Sequence, residues 1–206
     1  DGSITEIQAP FWYSTIYYAP TYSTLSRLGG VDSTPYFVIA FGTYSEPKAI
    51  VGEIVPSAGT KVIFGTIKKN PTTTGFTNPN SVALSSNKFL VVGKRVEAGG
   101  LNGTTYYGEV KTAYQKAGTV TYFDITNSFC GSQIGGSIDL ITYGSEQVLV
   151  AFIHTNQSLY GAFNYATRSG YNFPFLSLIN IPFFRMSPLS ELAIDINPSE
   201  DTAVVA

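Results

Sequence analysis

Between Ala49 and Gly65 the chain reads AIVGEIVPSAGTKVIFG. An apolar run passes through Gly52, pauses at Ser57-Ala58-Gly59 and resumes as a second apolar run. β-Branched residues dominate both runs and no capped segment of 3.6-residue period is present, so the stretch reads as two strands around a tight turn. The same shape recurs along the chain.

Three segments align with one another. The first holds PYFVIAF (35–41), KAIVGEIV (48–55) and GTKVIFGTI (59–67). The second holds SVALSSNKFLVVGK (81–94), TYYGEVKTAY (105–114) and GTVTYFDIT (118–126). The third holds SIDLITYGSEQVLVAF (137–152), SLYGAFNYA (158–166) and NFPFLSLINI (172–181). Gly52, Gly108 and Gly161 align, as do Ile39, Val91 and Val150. A period of roughly 50–60 residues is that of propeller blades and similar arrays.

Each unit reads as four strands. The first is moderately polar, as in SVALSS, with an earlier counterpart in STLSRLG (23–29). The second is a continuous apolar run, as in KFLVV, the mark of a strand buried on both faces. The third alternates, with Tyr106, Gly108, Val110 and Thr112 on one side and Tyr107, Glu109, Lys111 and Ala113 on the other. That pattern predicts a half-buried strand. The fourth opens on a glycine turn, Gly59-Thr60 or Gly118-Thr119.

The expected fold is therefore all-β, a single repeat domain over 1–206 with antiparallel four-stranded units at about 23–67, 81–126 and 137–181. A β-propeller or a fragment of one fits, because a blade cannot cover both its faces alone and its neighbours do so. A β-sandwich or jelly roll is the alternative. Partial units stand at 2–10 (GSITEIQAP, a fourth strand) and 190–206 (SELAIDINPSEDTAVVA, a first and second strand). These ends either share one sheet and close a ring of about four blades or belong to a longer array. The start at Asp1 without Met is that of a processed chain or of a piece of a longer one.

The repeat pattern SVALSSNKFLVV…YYGEV…GTVTYFDI, with AIVGEIVPSAGTKVIFG, resembles a degenerate repeat of predicted virion and tail-associated proteins of aquatic phages and large algal viruses. That repeat has a serine-rich first strand, an apolar second, a glycine-bearing third and a fourth opening on Gly-Thr. The chain departs from it in longer linkers such as RVEAGGLNGTT (95–105). The resemblance covers about 31–181 and implies a propeller-like module on a virion surface or appendage, otherwise extracellular, whose partners are copies of itself, other virion proteins or a host glycan.

Composition narrows the function classes. Of 206 residues 44% are hydrophobic and only 13% charged, about half the usual charged share. Tyr and Phe number 14 each and Gly 20, which suits strands joined by turns and argues against disorder. The net charge is −2 and basic residues form only isolated pairs such as Lys68-Lys69 and Lys94-Arg95, so no nucleic-acid groove is expected. No apolar run approaches the roughly 18 residues of a helical membrane span.

Chemistry-bearing residues are sparse. Cys130 and His154 are the single cysteine and histidine. An intrachain disulfide and a histidine cluster for a metal are therefore excluded. The expected roles are a small buried hydrophobe and a partly exposed structural residue. Glycosidases need two carboxylates at a defined separation. Glu53 and Glu109 stand beside matching glycines, with Ala162 in the third unit, and read more simply as strand residues. No sialidase-type Asp-box, GxGxxG or phosphate loop is present, so no enzyme activity and no cofactor are expected. DINPSED (195–201) offers Asp195, Asn197 and Asp201 as a calcium candidate, against a turn held by Asx hydrogen bonds. Asn102-Gly103-Thr104 and Asn156-Gln157-Ser158 are glycosylation sequons expected in loops. Aromatic clusters supply the interface or glycan-stacking candidates: Trp12, Tyr13, Tyr17 and Tyr18 in FWYSTIYYAPTY, and Phe173, Phe175, Phe183 and Phe184 further on. Such a protein is expected to be a non-enzymatic structural or attachment subunit. The alternatives are a carbohydrate-binding module of a secreted protein and a divergent glycan-hydrolysing propeller.

Overall fold

The computed structural model describes residues 22–28, 36–42, 46–55, 61–70, 75–97, 100–111, 118–130, 134–143, 146–155, 160–175, 179–185, 192–197 and 202–205. They form antiparallel sheets and, among the described residues, no helix. The first sheet runs in chain order through β1 (Tyr22–Leu28), β2 (Tyr36–Gly42), β3 (Pro47–Val55) and β4 (Lys61–Phe64), and the short β5 (Lys68–Lys69) also pairs with β3. The second sheet is β6 (Phe76–Ser85), β7 (Lys88–Glu97), β8 (Gly100–Lys111) and β9 (Thr119–Cys130). The third is β10 (Ile134–Tyr143), β11 (Gln147–His154), β12 (Tyr160–Thr167) and β13 (Ile179–Arg185). A final hairpin pairs β14 (Ile194–Asn197) with β15 (Thr202–Val205), the first two strands of the unit that 190–206 was expected to begin. The partial unit at 2–10 lies outside the described residues.

The sheets stack through apolar layers that divide by strand parity. Phe89 and Val91 of β7 pack with Val38, Ala40 and Val51 of the first sheet. Leu90 and Val92, on the other face of β7, pack with Val148, Val150 and Phe152 of β11. Ala151 and Ile153 then meet Leu192 and Ile194 beside the final hairpin. Val91 and Val150 are both fully buried, as expected of doubly covered strands.

The third strands of the first two sheets differ from expectation, whereas β12 alternates over 162–167. Residues Gly103–Gly108 of β8 are buried on both faces, not one. The alternation holds only from Gly108 on, where Glu109 and Lys111 are more exposed than Gly108 and Val110. Before it stand Gly103, Thr104 and Thr105, small enough to lie between stacked sheets. Thr104 and Thr105 are fully buried, and the Thr105 hydroxyl donates to the Asn127 carbonyl at 2.7 Å.

The glycine alignment also shifts by register. Phe37 pairs with Gly52 and Phe89 with Gly108, each two residues before Ile39 and Val91. In the third sheet the residue two before Val150 is Val148, and its partner is Ala166, whereas Gly161 pairs with Ile153. Ala166, not Gly161, is therefore the counterpart of Gly52 and Gly108, and Thr167, not Ala162, that of Glu53 and Glu109.

The first strands of successive sheets lie against one another and share a polar ladder. Thr24 Oγ1 donates to Asn80 Oδ1 (3.3 Å) and the Ser26 and Ser81 hydroxyls are 2.6 Å apart. Asn80 Nδ2 donates to Asp139 Oδ1 (2.6 Å), and Asp139 Oδ2 accepts the Ile194 amide (2.8 Å). The rungs are 56, 59 and 55 residues apart in sequence. Each Asx oxygen also caps its own strand, Asn80 Oδ1 taking the Ser81 amide and Asp139 Oδ1 that of Leu140. Both strands bulge just upstream, β6 between Thr77 and Asn80 and β10 between Ile134 and Ile138. A bulge re-aims the side chains that come after it. At β6 it is formed by Asn78, whose φ is 50°, a conformation asparagine tolerates well, and by Pro79, which is admitted only where the ladder is interrupted.

Candidate functional site

The concentration of aromatic and charged side chains lies at the seam between the second and third sheets. Tyr107 of β8 and Tyr122 of β9 face the third sheet there. Their rings gather with that of Tyr171, which comes after β12. Tyr122 and Tyr171 are stacked, with centroids 4.8 Å apart and planes 22° apart. Tyr107 closes the group at 5.5 Å from Tyr171 and is fully buried, whereas Tyr171 is 51% exposed.

Tyr171 is held by a tight turn. Ser169 and Asn172 exchange backbone hydrogen bonds of 2.8 and 3.0 Å. Gly170 turns the chain at φ +62°, where a side chain would be strained. The Phe173 amide ties the end of the turn to the second sheet by donating to Asn127 Oδ1 (2.8 Å), and Asn164 of β12 adds a bond from Nδ2 to the Phe129 carbonyl (2.9 Å). Arg168, at the base of the turn, grips Glu146 with two guanidinium nitrogens and donates from Nη1 to the Gly170 carbonyl. Its guanidinium lies over the Tyr107 ring at 5.9 Å, within cation–π reach. This ion pair holds the Glu146 carboxyl below its ordinary range.

Tyr107 donates its hydroxyl to Glu109 Oε1 at 2.8 Å. Burial, and then the Glu109 carboxylate, push its phenol well above the ordinary range, so it stays protonated. Tyr122 is raised by burial and then by Asp124, Tyr171 and Glu109. Asp124 is itself fixed by Asn70 Nδ2 at 2.7 Å. The seam thus presents two stacked rings beside carboxylates already oriented by donors from the protein.

The sequence candidates fall differently. Trp12, Tyr13, Tyr17 and Tyr18 lie outside the described residues. Phe173 is fully buried in the layer between the second and third sheets and has no free face, so it is core and not a stacking surface. Phe175 packs against the same layer, its ring 5.8 Å from that of Phe129. Phe183 and Phe184 belong to β13. Asp195 and Asn197 are residues of β14, while Asp201 is outside the described residues. Among the described residues no group of three His, Cys, Asp or Glu is placed to hold a metal. The Asn102 sequon lies within β8, not in a loop, and its Thr104 is buried.

Cys130, at the end of β9, is buried, and desolvation pushes its thiol up to about 11. His154 ends β11, and desolvation lowers its pKa, which favours the neutral imidazole. Tyr122, Tyr171 and Arg168 were missed in the sequence because they lie on different units.

No family model matches the chain, and no curated protein or solved structure shows significant similarity to it.

Proposed function

We propose that the chain is a non-enzymatic structural or attachment protein whose stacked sheets are blades of a β-propeller or of a segment of one. The observation that carries the architecture is the ladder Thr24–Asn80–Asp139–Ile194, which runs from one first strand to the next as inner strands around a common axis would. The same ladder supports a structural role, since these polar side chains join sheet to sheet. Cys130 and His154 add little chemistry, the first protonated and the second favouring its neutral form. The repeat's resemblance to virion and tail-associated proteins makes a virion surface or appendage the expected setting, reached through contacts with protein or glycan.

The test pairs two variants of the full chain. Trp12→Ala with Tyr13→Ala should reduce oligomerisation, read by light scattering, or incorporation into particles. His154→Ala with Cys130→Ala should leave both unchanged. A hydrolytic activity on glycosides or esters that disappears with His154→Ala would overturn the reading.

A further inference from the structure

We propose that the ledge formed by Tyr122 and Tyr171, with the Glu109 carboxylate beside it, is a binding subsite for a neutral pyranose sugar. The inference rests on the attachment reading and names the ligand class it would use.

Three features select that class. First, Tyr171 is a half-exposed aromatic held rigidly. Its turn is closed by paired backbone bonds, pinned to the second sheet and braced by Arg168 and Glu146. A solvent-facing ring that has already lost its freedom on folding costs little further entropy on binding. Second, the rings of Tyr107, Tyr122 and Tyr171 pack at 4.8 to 6.0 Å from one another and enclose no gap. A quaternary ammonium or methylated lysine needs an open cage of rings, whereas the flat C–H face of a pyranose needs a single ring face. Half-exposed Tyr171 has one face backed by Tyr122 and the other left for it.

Third, the polar groups around the ledge accept more than they donate. Glu109 accepts at Oε1 from the Tyr107 hydroxyl. Asp124, near Tyr122, is also a carboxylate. Carboxylates suit a ligand rich in hydroxyl donors and oppose a phosphate or an acidic glycan. Arg168 does not reverse this balance, because its guanidinium is already engaged by Glu146 and the Gly170 carbonyl. A protein partner would require about 800 Å² on this side, far more than two rings supply.

The experiment titrates the full chain with maltotetraose, cellotetraose, mannotetraose and N-acetylchitotetraose, using saturation-transfer NMR and calorimetry. At least one should bind, with ring protons of the sugar receiving transfer. Tyr171→Ala should weaken that binding about tenfold or more, and Glu109→Gln several-fold, about threefold or more. Tyr171→Phe, which keeps the ring, should bind within about threefold of the native chain. The variants should keep the native far-UV circular dichroism and unfold within a few degrees of the native chain. Binding of none of the four sugars, or equal binding by Tyr171→Ala, would overturn the inference. If oligomerisation or particle incorporation persists without sugar binding, the ligand class alone falls. If a sugar binds and is cleaved, the subsite stands and the non-enzymatic reading falls.

Discussion

The ring of Phe89 occupies the space in which a Cβ of Gly108, its cross-strand partner, would lie. Phe37 covers Gly52 in the same way one sheet earlier. In the third sheet the corresponding pair is Val148 and Ala166. Where the large member of the pair shrinks, the small member grows, so the combined volume between neighbouring sheets is roughly kept. Packing at crystal-like density leaves no other choice.

Gly108→Ala should accordingly destabilise the protein by about 1–3 kcal/mol through overpacking. Adding Phe89→Val recreates the pair found in the third sheet. The double variant should be more stable than the sum of the two single effects predicts, by about 1 kcal/mol. Urea unfolding of the four proteins measures this. Strict additivity would mean that the ring and the glycine do not share one space.

Val91→Asp and Val150→Asp each place a carboxylate in an apolar layer between sheets, where both valines are fully buried. An unpaired buried charge should cost several kcal/mol, about 4 or more, or abolish folding. Thermal unfolding within a few degrees of the native chain in either variant would contradict the double burial of β7 and β11.

The four-strand units were legible because burial on both faces leaves an uninterrupted apolar run, as in KFLVV, and because Gly-Thr marks the turns. Strand order came with them, since each unit's four main strands pair in chain order, with only the short β5 returning to β3. Burial of the third strand was not legible. Its small residues look exposed in sequence, and only the Phe89 ring above Gly108 shows that the face is filled. The third-unit alignment failed for a related reason: a glycine was matched to a glycine, when volume against the partner strand is what each unit keeps, and Ala166 satisfies it. The Tyr122–Tyr171 ledge was hidden because it forms between units, from residues on β9 and beyond β12, which no single-unit pattern contains. Phe173 was misread because local aromatic density says nothing about whether a neighbouring sheet covers it.

The Cys130 thiol, raised from 9.0 to about 11 by burial, should resist alkylation. At pH 8 a rise of that size lowers the thiolate fraction about a hundredfold, and only the thiolate attacks. Iodoacetamide should label the native chain far more slowly than the urea-unfolded chain at the same pH. Linkage gives the consequence for stability. A folded pKa above the unfolded one means that Cys130 contributes fully below pH 9 and that its contribution is lost as pH rises from about 9 to 11. Cys130→Ala should flatten this part of the stability profile. Rapid labelling of the folded chain at pH 8 would show that the thiol is not desolvated.

Asp139 is the rung of the ladder with the most to hold. Its Oδ1 accepts Asn80 Nδ2 and the Leu140 amide, and its Oδ2 accepts the Ile194 amide. Asp139→Ala removes the acceptor of three donors, one on each of three first strands, although Asn80 Nδ2 keeps the Ile138 carbonyl at 3.4 Å. The cost should be about 1–3 kcal/mol, concentrated at the final hairpin, whose other ties among the described residues include the Leu192 amide on Ser137 Oγ (2.8 Å) and the apolar contacts of Leu192 and Ile194 with Ala151 and Ile153. Hydrogen exchange should therefore show the amides of β14 and β15 opening about tenfold faster or more, while those of β7 change little. Asp139→Asn is a graded control. An amide cannot accept with both of its atoms, so it must give up either the Asn80 Nδ2 bond or the Ile194 amide bond, and its exchange rates in β14 and β15 should lie between those of the native chain and of the Ala variant. Native exchange rates in β14 and β15 of the Ala variant would mean that the Asp139 rung does not hold the hairpin to the third sheet.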